Sequence, residues 1–206
     1  MKIINNVTYG DVIDKILEQK VVAIFQGRSE AGARALGNRS LLFDPRNKNG
    51  KDIVNTIKRR EEFRPFAGSV LNEYASEWFH TEYVGESPYM SYSLKVKEDK
   101  IKEIPAVTHV DNTCRIQTVK RIDNPHYHKL ISEFYIRTGV PLLLNTSFNL
   151  AGDPMVETPE DALHTLKKSA ISYVYFPEID MLVDDSENNV SYDDDVYEEG
   201  EEDDGL

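Results

Sequence analysis

The sequence predicts an α/β (α+β) domain, a twisted mixed sheet with flanking helices. Three observations predict it. Short apolar runs recur at Val21–Phe25, Pro141–Leu144 and Ile171–Phe176, as buried strands require. Between them lie stretches with helical spacing and recognisable caps. The two kinds of segment do not alternate strictly, which argues against a purely parallel βαβ array. At 206 residues the chain can bury one good-sized core, so one folded domain is expected.

The elements follow in order. Residues 8–20 read as a helix: Thr8 suits the cap, Asp11 the first turn, and Val12, Ile13, Ile16 and Leu17 share a face. Val21–Phe25 is a buried strand, followed by a polar Gly- and Arg-rich loop over Gln26–Asn38. Residues 49–60 read as a helix, and 91–96 and 115–120 as strands. Asn124 caps a helix that starts at Pro125, and Gly139 ends it. Tyr127, Leu130, Ile131 and Phe134 line its apolar face. The strand at 141–144 stops at Asn145-Thr146-Ser147-Phe148-Asn149. Thr158-Pro159-Glu160-Asp161 opens a further helix, and 171–176 is a final strand. No internal repeat is visible.

The net charge of −12 is unevenly distributed. Residues 184–206 hold 12 acids and no Lys or Arg, which leaves 24 acids against 24 bases in the body. The body, 1–183, is therefore neutral, and 184–206 reads as a disordered acidic tail. No apolar run approaches the roughly 20 residues that span a bilayer. The N-terminus carries no signal-peptide pattern. The single cysteine, Cys114, gives no internal disulfide and no CxxC metal site. A cytoplasmic setting is expected.

Within the neutral body, residues 26–64 hold ten Lys or Arg against five acids. Such a surplus calls for an anionic partner. Arg28, Arg34 and Arg39 occur in or beside the loop without a single Lys, and Arg grips phosphate or carboxylate with a planar fork. Gly27, Gly32 and Gly37 let backbone approach a ligand. The bland alternative is a set of surface ion pairs over a turn-rich loop. The loop is not a Walker A motif. The acidic tail and the lack of a basic stripe interleaved with aromatics disfavour nucleic acid. A second cluster is Lys58-Arg59-Arg60, with Arg64 held extended by Pro65. The third is Asn145–Asn149, small polar side chains just past a strand end. An extended backbone there would present Ser147 and Asn149 to one face. His126 and His128 sit about 200° apart on a helix, so no metal site is expected from them. His109 is a candidate for phosphate contact, with a structural hydrogen-bonding role as the alternative.

Taken together, these clusters resemble the O-carbamoyltransferases of nodulation-factor and antibiotic biosynthesis. The resemblance rests on Gln26-Gly27-Arg28-x-Glu30-x-Gly32-x-Arg34-Ala35-Leu36-Gly37-Asn38-Arg39-Ser40 and on Phe63-Arg64-Pro65-Phe66. It extends to Ser87-Pro88-Tyr89-Met90, Thr108-His109-Val110-Asp111, Arg115-Ile116-Gln117-Thr118-Val119 and Leu144–Asn149. It covers residues 8–183 in order and matches only that family's C-terminal, YrdC-like domain. The resemblance implies hydrolysis of carbamoyl phosphate to carbamate, then joining of carbamate to ATP as carbamoyl-adenylate, with Mg²⁺ accompanying the nucleotide. The KxR…SxN pattern of YrdC-like proteins falls on Lys58, Arg60, Ser147 and Asn149.

On that basis Lys58 and Arg60 are expected to hold ATP phosphates and carbamate, and Ser147 and Asn149 the adenylate phosphate or Mg²⁺-linked oxygens. Arg28, Arg34 and Arg115 would clamp the carbamoyl phosphate, and Asn145 and Thr146 would orient its amide. Arg39, Arg64 and His109 complete the expected substrate-binding set. Ala33 and Gly68 stand where the family would have proline. The family's metal-binding transfer domain has no counterpart here, so a separate carbamoyltransferase chain of that N-terminal type is the expected partner. A homo-oligomer is also compatible with the sequence. A threonylcarbamoyl-adenylate synthase and a non-catalytic nucleotide-binding subunit are the alternatives.

Overall fold

The computed structural model describes residues 1–188. The strands are β1 (Lys2–Asn5), β2 (Val22–Phe25), β3 (Arg39–Phe43), β4 (Ala67–Leu71), β5 (Tyr92–Lys95), β6 (Thr113–Val119), β7 (Leu142–Ser147), β8 (Tyr173–Phe176) and β9 (Met181–Asp184). The helices are α1 (Tyr9–Leu17), α2 (Gly50–Ile57), α3 (Ala75–Trp78), α4 (Pro125–Thr138) and α5 (Pro159–Lys167). The strands form a nine-stranded sheet in the order β1-β9-β8-β2-β3-β7-β4-β6-β5. Only β2 with β8 and β4 with β6 pair in parallel. The expected mixed α/β architecture is the observed one.

The helices start where their caps stand. Thr8 and Asp11 form a reciprocal capping box on α1, as do Thr158 and Asp161 on α5. Asn124 caps α4 by accepting from the Tyr127 amide, and Gly139 ends it at φ 75°, a left-handed conformation that suits glycine. The expected apolar face of α4 is fully buried. Helix α4 packs on α1 and on β4 and β7. On the opposite sheet face Gly50 of α2 is seated against Phe43, where a Cβ would come within 2.9 Å of Ala106.

Four strands escaped the sequence reading, each for a physical reason. Strand β1 is an exposed edge with no alternation to detect. Strand β3 opens on the polar pair Arg39-Ser40, both buried. Strand β4 is Ala-Gly-Ser-Val-Leu, half of it without bulk. Strand β9 carries the ordered chain through Asp184, and Asp185 meets the N-terminal amine at 3.1 Å. The first residue of the acidic tail expected over 184–206 thus lies in a strand, and residues 189–206 lie outside the described residues. Strand β7 runs on to Ser147, and α2 stops at Ile57, leaving Lys58–Arg60 beyond it.

Strand direction does the work of gathering a site. The carboxyl ends of β2 and β7 lie at the same end of the sheet as the amino ends of β3, β4 and β6, because Phe25 pairs with Arg39, Ser147 with Ser40, and Asn145 and Arg115 both with Ala67. The Arg loop, the segment before β4, Arg115 and the Ser147–Asn149 turn therefore converge. Among the described residues no helix is long and apolar enough to cross a membrane.

Asn124 ties this end together. Its Oδ1 accepts from the Tyr127 amide and from Gln26 Nε2, both at 3.1 Å, and its Nδ2 donates to Asn38 Oδ1 at 3.1 Å. Asn124→Ala is expected to cost about 2 kcal/mol in urea unfolding, against about 1 kcal/mol for the cap-only variant Thr158→Ala. Equal losses would contradict the double role.

Candidate active site

Lys58 is the C-cap of α2, and the chain turns there through Arg59 at φ 52°, a left-handed conformation costing a non-glycine residue about 1 kcal/mol. That turn sends Arg59 out to the Lys168 carbonyl at 2.7 Å and leaves Lys58 pointing inward. The Lys58 side chain is buried, at 2% exposure. Its Nζ lies 2.6 Å from Ser147 O, 3.0 Å from Asn149 O and 3.0 Å from Asn149 Oδ1, with Ser147 Oγ at 3.3 Å. Ser147 Oγ donates to Asn149 Oδ1 at 2.6 Å, and Asn149 Nδ2 donates to Asp153 O at 2.7 Å. The main chain repeats the link, for the Ala151 amide donates to Lys58 O at 2.9 Å. The K and SxN parts of the expected pattern thus meet directly. Ser147 and Asn149 meet across a tight turn, in which the Asn149 amide donates to Ser147 O, rather than along an extended strand.

Two forces oppose each other at Lys58. Burial first, then the charges of Arg60 and Arg64, push its ammonium down to about 7. The ring of oxygen acceptors favours the protonated form, which alone has three donors to give.

Arg60 donates from Nε to Asn55 Oδ1 at 2.7 Å and stacks 4.5 Å over the Phe66 ring. Burial and then Arg64 push it down to about 10, with Arg115 adding to the effect. Burial, followed by Arg34, holds Arg115 below the usual guanidinium range. Arg64 and Arg115 thus act on Arg60, and Arg34 acts on Arg115, as like charges. Among the described residues only Arg64 of these four has a carboxylate partner, Glu61 at 2.8 Å. A group of cations held together with so little counter-charge makes this end of the sheet electropositive.

The Arg loop is built rather than loose. Glu30 Oε1 accepts from the amides of Leu36 and Asn38 at 2.7 and 2.9 Å, and Gln26 Nε2 donates to Gly37 O at 2.7 Å. Gly37 has φ 106°, and a Cβ there would lie 2.2 Å from the Tyr127 ring. Arg28 and Arg34 are exposed on this frame.

Other expected residues take different places. Arg39 is buried and donates to the carbonyls of Gln26, Asn38, Gly27 and Glu157 at 2.6 to 3.2 Å, over the Phe25 ring at 3.6 Å. It braces the loop from beneath. His109 engages both ring nitrogens, Nε2 with Phe66 O at 3.0 Å and Nδ1 with Thr113 Oγ1 at 3.2 Å, and so pins the approach to β4. Asn145 lies buried under the loop, donating to Ala35 O at 3.0 Å and Ser69 Oγ at 2.8 Å. Thr146 points to the opposite sheet face from Asn145 and Ser147. Sequence reasoning passed over Asn55, Ser69 and Asp153. Asn55 alone had a signal, a polar residue inside an amphipathic helix, and its Nδ2 holds the carbonyls of Glu62 and Arg64, both at 3.1 Å. Among the described residues no group of three His, Cys, Asp or Glu is placed to hold a metal. Cys114 is buried, and burial pushes its thiol up to about 12, far from reactivity.

Lys58 also makes a stability prediction. Its folded pKa of about 7 lies below the unfolded lysine value of about 10.4. Between these values the unfolded chain binds the extra proton, so stability rises with pH. Relative to Lys58→Met, the wild type is expected to gain up to about 1.4 kcal/mol per pH unit on going from pH 7 toward pH 10. A difference that stays constant with pH in urea titrations would contradict this environment.

Comparison with known proteins supplies the family and the fold. The profile of the family described as Carbamoyltransferase C-terminus matches residues 13–182. Nodulation protein NolO of Bradyrhizobium diazoefficiens is 48% identical over 147 residues, covering 70% of this chain and 27% of NolO. The 3'-hydroxymethylcephem-O-carbamoyltransferase of Amycolatopsis lactamdurans is 40% identical over 167 residues, covering 81% of this chain and 30% of that protein. The chain thus spans under a third of the length of these curated relatives. Full-length HypF in its phosphate- and nucleotide-bound form superposes with a TM-score of 0.55 at 18% identity, over 90% of this chain and 22% of HypF. Sua5 of P. abyssi gives 0.51 at 13% identity, over 84% of this chain and 54% of Sua5. Those two likenesses concern the fold, which is YrdC-like. By its sequence match, the chain belongs to the carbamoyltransferase C-terminus family.

Proposed function

We propose that this chain makes carbamoyl-adenylate and pyrophosphate from carbamoyl phosphate and ATP, for an O-carbamoyl transfer completed by a separate transferase domain or chain. The observation that carries the reading is the buried Lys58 amine at the Ser147–Asn149 turn, with Arg60 and Arg64 as its charged neighbours, Arg115 beside Arg60 and Arg34 beside Arg115, and little carboxylate among them. HypF, on the same fold, was crystallised with phosphate and nucleotide bound, which supports the same ligand chemistry here.

Water first cleaves carbamoyl phosphate, giving carbamate and inorganic phosphate. A carbamate oxygen then attacks the α-phosphorus of ATP, and pyrophosphate leaves. Negative charge moves onto phosphoryl oxygens in both steps, and fixed cations in a partly dry site stabilise it without covalent catalysis. In this scheme Lys58 and Arg60 grip the nucleotide phosphates and the carbamate, while Arg28, Arg34 and Arg115 grip the carbamoyl phosphate. Ser147 and Asn149 hold Lys58 in place and offer polar atoms to the adenylate phosphate. Mg²⁺ enters as part of the nucleotide, on its phosphates. The acceptor would be chosen by the separate transferase domain or chain.

A pyrophosphate-release assay tests this reading. Carbamoyl phosphate with ATP is expected to release pyrophosphate, and bicarbonate with threonine and ATP is not. Arg60→Ala is expected to lower kcat/KM by about 100-fold or more with the circular dichroism spectrum unchanged. Release only with threonine and bicarbonate would favour a threonylcarbamoyl-adenylate synthase. ATP binding without any release would favour a nucleotide-binding subunit.

A further inference from the structure

Three buried polar side chains stand in a row across the sheet beneath the Arg loop. Ser69 on β4, Gln117 on β6 and Asn145 on β7 are 0%, 5% and 1% exposed. They share one sheet face, since Ser69 pairs with Gln117 and Ala67 with Asn145. Ser69 Oγ donates to Gln117 Oε1 at 2.7 Å, and Asn145 Nδ2 reaches Ser69 Oγ at 2.8 Å and Gln117 Oε1 at 3.3 Å. Burying such groups is costly unless their hydrogen bonds are met. Their remaining donor capacity goes to one place. Gln117 Nε2 donates to Leu36 O at 2.8 Å, and Asn145 Nδ2 to Ala35 O at 3.0 Å. Two successive carbonyls of the loop are thereby fastened to the sheet, and Glu30 Oε1 holds the Leu36 amide at 2.7 Å from the loop side.

The fastening lies between two like charges. Arg34 immediately precedes Ala35, and Arg115 sits two residues before Gln117 on the same face of β6. Arg34 is close enough to help hold the Arg115 guanidinium below its ordinary range, second only to burial. Left to itself, a polar loop relaxes to separate such charges. The row of amides opposes that relaxation.

We propose that Gln117 is a positioning residue of the anion site: by gripping Leu36 O, with Asn145 gripping Ala35 O, it sets where Arg34 stands relative to Arg115 and so the affinity for the phosphate of carbamoyl phosphate. This rests on the activation of carbamoyl phosphate proposed above. Gln117 touches no reacting atom. Its effect falls on the anion held between the two arginines, and the nucleotide held at Lys58 and Arg60 is largely spared.

The test compares Gln117→Leu, Gln117→Glu and Ser69→Ala with the wild type. Gln117→Glu keeps an acceptor for Ser69 but cannot donate to Leu36 O. Ser69→Ala leaves that donation in place. KM for carbamoyl phosphate is measured at saturating ATP, KM for ATP at saturating carbamoyl phosphate, and the affinity for inorganic phosphate by calorimetry. Both Gln117 variants are expected to raise KM for carbamoyl phosphate and weaken phosphate binding by about tenfold, with KM for ATP within about twofold. Ser69→Ala is expected to stay near wild type in KM even where its Tm falls. A merely structural Gln117 would lower Tm and leave phosphate affinity unchanged in the folded protein, and that result would overturn the proposal. If Gln117→Leu fails to fold, Gln117→Met, which cannot donate to Leu36 O and adds no charge beside Arg115, carries the same comparison. A wild type that binds phosphate but releases no pyrophosphate would instead sink the reading of the reaction, and phosphate affinity would still decide the role of Gln117.

Discussion

A lysine amine buried among oxygens, and facing arginines, is the constraint around which this end of the molecule is organised. Lys58 holds two carbonyls and two side chains of the turn after β7, and its own carbonyl receives the Ala151 amide. Removing the amine would leave those oxygens unpaired in a dry place. Keeping it places a positive charge beside Arg60 and Arg64. In the proposed reaction an incoming polyanion would relieve the second difficulty without creating the first. The same side chain would then serve as structure before the ligand arrives and as electrostatic complement afterwards.

Topology makes this arrangement possible. The sheet is mostly antiparallel between β2 and β4, so the loops that leave β2 and β7 meet the segments that enter β3, β4 and β6. Four stretches spread over more than 100 residues of sequence come to one sheet end. Around them a second tier of residues does the holding. Arg39 and Asn145 brace the loop from below, Asn55 fixes Arg60 and the run to Arg64, and His109 secures Phe66.

Much of this was legible in the sequence, and the limits follow from physics. Helices α1, α4 and α5 announced themselves through caps and periodicity, because both are local properties. Strands β3 and β4 did not, because their polar or small residues are buried by partners far away in the chain. The excess of Lys and Arg over acid between 26 and 64 falls on several of the arginines gathered at this sheet end, yet charge alone could not separate Arg39 the brace from Arg34 and Arg60, each of which lies beside Arg115. That distinction depends on which carbonyls lie within reach, a tertiary fact. Thr146 shows the same limit in the other direction: next to Ser147 in sequence, it is turned away by the two-residue period of a strand.

The carbamoyl chemistry itself came from the ordered motif set, and the family match supports the set as a whole. The geometry adds the physical content, a partly buried cation group beside a lysine with spare affinity for negative charge. The most direct measurement is mass spectrometry of the reaction of this chain with isotopically labelled carbamoyl phosphate and ATP. The account predicts a labelled species with the mass of carbamoyl-AMP from the wild type and none from Lys58→Ala. A wild type that binds ATP yet yields only unlabelled AMP or ADP would contradict it.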